Sequence, residues 1–322
     1  MAKTTRLIKS FYKLLLPVVI LLLLATVGAS VWLVHEVSLP HSSNYLVTPA
    51  KYGQLSSRGA QVTDETWANA DGSSARGWLL RGIPNAPAVI LMHKYGADRS
   101  HVLNLGVKLN EATNFTVLMP DHRGHGTDAP VKGTTFGGCE SQDTTSSVAF
   151  LRALQTPEQL TLVGKDIGIY GLEMGSLAAI AAASADPTIK ALVLDSVPQS
   201  SDALLGNSVE GRFPFASVVT AKIAEIGTYP YFYQNGCYSR APVCETAKLL
   251  AGRRVLVLGG VDAAAFQDSS AKFAKCLPPS TTVDSKTDLS PSGYSIFSTS
   301  LEVTAAYEQR VIDFMKQALT LQ

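Results

Sequence analysis

The chain has 322 residues, 27 basic and 26 acidic side chains, and a net charge of +1. That balance excludes a strongly basic nucleic-acid binder, and 46% hydrophobic against 16% charged residues excludes a disordered chain. The length allows one large domain or two small ones.

The first 13 residues carry Lys3, Arg6, Lys9 and Lys13 and no acid. Residues 14–34, LLLPVVILLLLATVGASVWLV, carry no charge. Crossing the hydrocarbon takes about 20 apolar residues, so this run predicts a transmembrane helix. The cations before it place the N-terminus in the cytoplasm and the rest of the chain outside. A cleaved signal peptide, with Val27-Gly28-Ala29 as the cleavage site, is the alternative; it would make the protein secreted. The apolar run continues through Val31-Trp32-Leu33-Val34, which favours a retained anchor. Residues 35–60 read as a polar stalk, and 61–322 as the folded domain.

Within 61–322, Gln61–Asn69 and Arg76–Arg81 flank Asp71-Gly72 and predict a β-hairpin. Ala88–Met92, Phe115–Met119, Ile167–Tyr170, Lys190–Leu194 and Arg254–Leu258 are short apolar runs of the kind buried on both faces of a parallel sheet. Between and after them, 101–111, 143–155, 174–185 and a stretch carrying Val311, Phe314 and Ala318 have helical spacing. The alternation predicts an α/β fold with a mostly parallel sheet and helices on both faces. Residues 196–253 are too long for a simple crossover and are rich in Phe and Tyr; they are expected to form a cap with room for a small apolar or peptide ligand. Four cysteines, Cys139, Cys237, Cys244 and Cys276, in an exported domain imply two disulfides. The local pair Cys237–Cys244, leaving Cys139–Cys276, is the preferred of three connectivities. Their spacing does not read as a zinc site, and no cofactor motif is present.

Three motifs carry chemistry. His93-Lys94-Tyr95-Gly96 follows one strand, Pro120-Asp121-His122-Arg123-Gly124-His125-Gly126 the next, and Gly171-Leu172-Glu173-Met174-Gly175 lies between a strand and a helix. In order and spacing they resemble the α/β-hydrolase superfamily, in particular its serine-aminopeptidase and monoglyceride-lipase-like branch. The resemblance implies an α/β-hydrolase fold over residues 60–320. It implies a nucleophile elbow at 171–175 with backbone N–H groups of Tyr95 and Met174 at the oxyanion position. It places His93 and Lys94 beside the pocket and Asp262 at the acid position.

This chain departs from the family at the groups that react. The nucleophile position is Glu173, a point at which some relatives use Asp. The six histidines, His35, His41, His93, His101, His122 and His125, all precede Glu173. The family order is nucleophile, acid, then histidine, and the loop where the histidine is expected, near Ser290 or Pro291, has none. Without that imidazole the general base is missing. Lys94 stands where the family has glycine, so an ion pair between Lys94 and Glu173 is expected to fill the former site. His93, His122 and His125 are expected to organise loops. The implied function is a membrane-anchored α/β-hydrolase homologue without serine-hydrolase activity that binds a ligand or an unidentified protein partner. A hydrolase of altered mechanism using Glu173 is the alternative.

Overall fold

A computed structural model describes residues 2–40, 45–53, 59–213 and 218–320. The first helix, α1, runs Ala2–Ser38, and a short α2 covers Pro49–Gly53. β1 (Val62–Ala68) and β2 (Ser74–Leu80) form the expected hairpin. There follow β3 (Ala86–Met92), α3 (Leu103–Thr113), β4 (Thr116–Pro120), α4 (Gly138–Ala153), β5 (Val163–Leu172), α5 (Met174–Ala185) and β6 (Ile189–Asp195). Three helices, α6 (Ser201–Arg212), α7 (Val218–Tyr231) and α8 (Val243–Ala247), separate β6 from β7 (Arg254–Gly260). The described chain closes with α9 (Ala264–Cys276), β8 (Thr282–Leu289) and α10 (Leu301–Thr320).

The strands form one sheet in the order β1-β2-β4-β3-β5-β6-β7-β8. β2 is antiparallel to β1 and β4, and every later pairing is parallel. Alternation along the buried strands explains the layers. Val89, Leu91, Val117, Met119, Tyr170, Leu172 and Val193 share a core with Leu103, Val107, Val311 and Met315 of α3 and α10. The intervening residues, such as Ile90, Leu118, Ile169 and Leu192, are equally buried and face the other side, where α4 and α5 pack together and α8 links α5 to α9. Ligands of such sheets bind at the carboxyl end of the parallel strands. Residues 92–96, 171–175, 195–196 and 260–262 all converge there.

The chain divides into two compact units, one of Met1–Val37 with Leu205–Gly236, the other of Ser38–Leu204 with Cys237–Gln322. The sheet belongs wholly to the second. In the segment expected as a stalk, the Tyr45 hydroxyl donates to Asp121 Oδ2 at 2.9 Å and the Leu46 N–H to Ser100 Oγ at 3.0 Å. Residues 41–44 and 54–58 of that segment lie outside the described residues.

The disulfides correct the expected pairing. Cys139 bonds Cys237 and Cys244 bonds Cys276, with Cα separations of 4.9 and 5.4 Å. The reason is packing. The Cys237 backbone lies against Gly138 at the start of α4, so close that a side chain at Gly138 would strike the Cys237 carbonyl. Cys244 sits in α8, which packs on α9, the helix that ends at Cys276. Sequence proximity favoured Cys237–Cys244, but α8 faces α9 rather than the turn before it. Non-reducing peptide mapping is expected to recover the 139–237 and 244–276 linked peptides. The first bond closes a chain separation of 98 residues, so Cys139→Ser with Cys237→Ser is expected to cost about 3–5 kcal/mol in urea unfolding.

Candidate active site

The elbow is built by a strand, a sharp turn and a helix. β5 ends at Leu172 and α5 begins at Met174, leaving Glu173 alone at φ +52°, ψ −104°. A non-glycine residue there is strained by about 1–3 kcal/mol. The flanking glycines permit it: a Cβ on Gly171 would meet the Gly175 carbonyl at 2.5 Å, and one on Gly175 the Met92 carbonyl at 2.7 Å. The Glu173 N–H donates to the Asp195 carbonyl at 2.9 Å and holds the turn to β6.

The Glu173 carboxylate does not project into solvent; the residue is 3% exposed. Its Oε2 accepts the Tyr95 N–H at 2.8 Å and the Met174 N–H at 3.3 Å. These are the two backbone donors that the family resemblance assigned to the oxyanion position. Here they cradle the protein's own carboxylate. Burial pushes the Glu173 pKa up to about 7, while the Tyr95 N–H, the Lys94 charge and the Met174 N–H pull it down.

The expected Lys94–Glu173 ion pair does not form. Among the described residues no salt bridge joins them; Lys94 Nζ donates to the Tyr294 carbonyl at 2.7 Å and lies 3.7 Å from the centre of the Tyr294 ring. The carbonyl and ring give the ammonium a better-defined seat than a carboxylate already bonded to two amides. Lys94 still acts on Glu173 through space, and burial lowers its own pKa.

Asp262 sits just after β7 and takes both polar groups of Ser292: the N–H reaches Oδ1 at 2.8 Å and the hydroxyl Oδ2 at 3.0 Å. Next along the chain, the Gly293 N–H donates to Asp195 Oδ2 at 2.8 Å, which also accepts the Tyr307 hydroxyl at 2.6 Å. From sequence, Asp195 had only a role assisting Glu173 in the alternative, catalytic reading; here it holds the loop. Lys94, Asp195 and Asp262, from the ends of three strands, thus hold Tyr294, Gly293 and Ser292 in turn. The segment near Ser290 and Pro291, where the imidazole was expected, is tied down by serine and backbone groups.

Of the upstream histidines, His93 and His125 are held by backbone groups, whereas His101 Nε2 and His122 Nε2 are buried without a hydrogen-bond partner among the described residues. His93 Nε2 accepts the His122 N–H at 3.1 Å, so its Nδ1 carries the proton and donates to the Lys94 carbonyl at 2.8 Å. His125 repeats this with the Gly96 N–H at 3.1 Å and the Arg123 carbonyl at 2.9 Å. Both rings are therefore fixed as neutral tautomers, and burial lowers each pKa to about 4. His101 packs edge-on against Phe297 and is lowered to about 3, also by burial. Ser176, one turn beyond the elbow, is buried and spends its hydroxyl on the Gly171 and Asp195 carbonyls. Among the described residues no group of three or more His, Cys, Asp or Glu side chains is arranged to hold a metal ion.

No family model and no curated protein matches this chain. Solved structures do. An esterase of Pyrococcus furiosus, Pf2001, is 21% identical over 87% of this chain and 97% of its own, with a TM-score of 0.61. The α/β hydrolase GrgF of Penicillium sp. sh18 is 14% identical over 81% of this chain and 100% of its own, with a TM-score of 0.59. The acylaminoacyl peptidase of Pyrococcus horikoshii gives 14%, 82% and 42%, with a TM-score of 0.57. The chain has the α/β-hydrolase fold.

The buried groups make opposite pH predictions. Glu173 has a raised folded pKa, so its contribution is complete below the unfolded value of 4.5 and is lost as pH rises through about 7. Glu173→Gln keeps a neutral acceptor and removes that loss. Its urea midpoint is expected to match the parent near pH 4.5 and to exceed it above pH 7, by a free energy on the order of 3 kcal/mol. His93 and His125 have depressed folded pKa values, so their contribution is present above an unfolded value of about 6.5 and is lost as pH falls through about 4. Stability of the Glu173→Gln variant is therefore expected to fall on acidification from pH 7 to 4, read by the same unfolding series.

Proposed function

We propose that this chain is a membrane-anchored, extracytoplasmic α/β-hydrolase-fold protein that lacks serine-hydrolase activity and acts by binding a small apolar or peptide ligand, or a protein partner. The observation that carries the reading is the Glu173 carboxylate in the Tyr95–Met174 cradle. Those two N–H groups are where the developing oxyanion of acyl transfer would be stabilised, and an internal carboxylate already uses them. A hydroxyl nucleophile is absent from the elbow, and two of the imidazoles at the strand ends, His93 and His125, have both nitrogens committed to backbone groups.

Anchoring is supported by the apolar length of α1. Lys13–Ser38 has the length and composition to cross a membrane, and Leu14, Leu16 and Leu21–Leu24 are exposed. The basic residues preceding it favour a cytoplasmic N-terminus, and the two disulfides fit an oxidising compartment. The helices between β6 and β7 are assigned as the cap.

One observation favours an active hydrolase instead. An acid with a pKa near 7 is matched to proton transfer at neutral pH, and Glu173 would then serve as nucleophile or base with Asp262, Asp195 or Lys94 assisting. Its burial and its two amide bonds weigh against that use.

The full chain in detergent is expected to remain unlabelled by fluorophosphonates and to leave short-chain acyl esters intact. Glu173→Ser alone is expected to stay inert, because no imidazole is released to activate the hydroxyl. Ester turnover by the parent that disappears in Glu173→Gln would establish the hydrolase reading in place of this one. Mass spectrometry of the natively purified protein is expected to show a co-purified ligand or partner.

A further inference from the structure

The unit of Met1–Val37 and Leu205–Gly236 contains a helix that is apolar on two faces. α7 buries Ala221, Ala224, Gly227 and Thr228, spaced three or four residues apart along one side. That side reaches α1: a Cβ on Gly227 would collide with the Ser30 carbonyl, so glycine is what lets the two backbones touch. Four residues on, the Tyr231 hydroxyl lies 3.2 Å from His35 Nδ1. Trp32, beside this contact, packs against Phe213 with ring centres 5.4 Å apart. The opposite side of α7 presents Val219 and Ile226, 68% and 58% exposed, with Val218 and Tyr229 beside them, and Tyr233, two residues past the helix end, is 85% exposed. The charge within that stripe is Lys222, paired with Glu225 at 2.7 Å.

An exposed apolar stripe opposite a buried face marks a surface that something covers, and α1 indicates what. Ser30 lies within the uncharged run 14–34, four residues before its end. At 1.5 Å per residue that is about 6 Å along the axis. An α1 that spans a bilayer therefore meets α7 where hydrocarbon gives way to headgroups. The exposed leucines of α1 and the outer stripe of α7 belong to one compact unit.

We infer that the outer stripe of α7, Val218, Val219, Ile226 and Tyr229, together with Tyr233 just past its end, lies in the lipid interface of the bilayer that α1 crosses. The inference rests on the anchored reading above and adds to it a second membrane-contacting element, drawn from the segment between β6 and β7. Trp32, Tyr229 and Tyr233 are of the residue types that gather at that depth. Lys222 can lay its carbon stem along the stripe and raise its ammonium to lipid phosphates.

The test uses the full chain in phosphatidylcholine vesicles with brominated or ordinary acyl chains and reads tryptophan quenching. Trp32 reports the anchor: its emission is expected to be lost in brominated vesicles, and Trp32→Phe removes that quenched component. On the Trp32→Phe background, Ile226→Trp and, separately, Val219→Trp are each expected to restore a quenched component. Quenched Trp32 with both introduced indoles unaffected overturns the inference and leaves the anchor standing. An unquenched Trp32 on protein that floats free of the vesicles overturns the anchor and the inference together. Unquenched indoles accompanied by cross-linked dimers assign the stripe to a second copy of the chain and also overturn it. The two positions are read independently, so one variant that fails to fold leaves the other decisive.

Discussion

The contact on which the rest of the site depends is that of one carboxylate oxygen with two backbone amides. Glu173 Oε2 sits between the N–H groups of Tyr95 and Met174. Taking a carboxylate out of water is costly, and the raised pKa registers that cost. What offsets it is local: two charge-compatible donors, the N-terminal end of α5, and the Lys94 ammonium acting at longer range. Two amides of the kind that stabilise a transient oxyanion also suit a carboxylate oxygen. An external carbonyl oxygen can enter only if the Glu173 side chain leaves, and leaving breaks both bonds.

The remaining charged groups at the strand ends follow the same logic of internal satisfaction. Asp262 holds Ser292, Asp195 holds Gly293, and Lys94 holds Tyr294. Three separate strands thereby grip three consecutive residues of one loop. Gly293 is required because a side chain there would strike the hydroxyls of Tyr307 and Tyr170 as well as Asp195. In a catalytic arrangement this loop must leave an imidazole free to swing between an acid and a substrate. Here the acids bond the loop's own backbone and hydroxyl, which fixes it in place.

The fold was legible in the sequence because its buried strands are short continuous apolar runs, and β3, β4, β5, β6 and β7 fall on them. The β8 end of the sheet was not equally legible. β8, with Asp284, Lys286 and Asp288, is an exposed edge strand whose charges protect it from pairing and erase the apolar signal. α9 buries only Phe266, Ser270 and Phe273, too sparse a stripe to announce a helix. At the site, Glu173, Tyr95 and Met174 could be placed because the elbow motif fixes them relative to one another. The partners of Lys94, Asp195 and Asp262 could not, since each depends on a loop arriving about 30 to 200 residues away. The disulfides failed for a related reason: which face α8 turns toward α9 is decided by packing, and sequence separation carries no record of it.

Retention of the elbow is itself weak evidence for catalysis, and the packing shows why. The positive φ at Glu173 is imposed from outside the residue. Gly171 meets the Gly175 backbone, Gly175 meets the end of β3, and the Glu173 N–H is bonded to the Asp195 carbonyl. None of these contacts involves the side chain at 173. The strained turn is therefore the shape that closes β5 onto α5 whichever residue occupies its apex, and packing alone suffices to preserve it. What a serine in that turn would need in addition is an empty pair of amide donors, and in this molecule the Glu173 carboxylate occupies the Tyr95 and Met174 N–H groups.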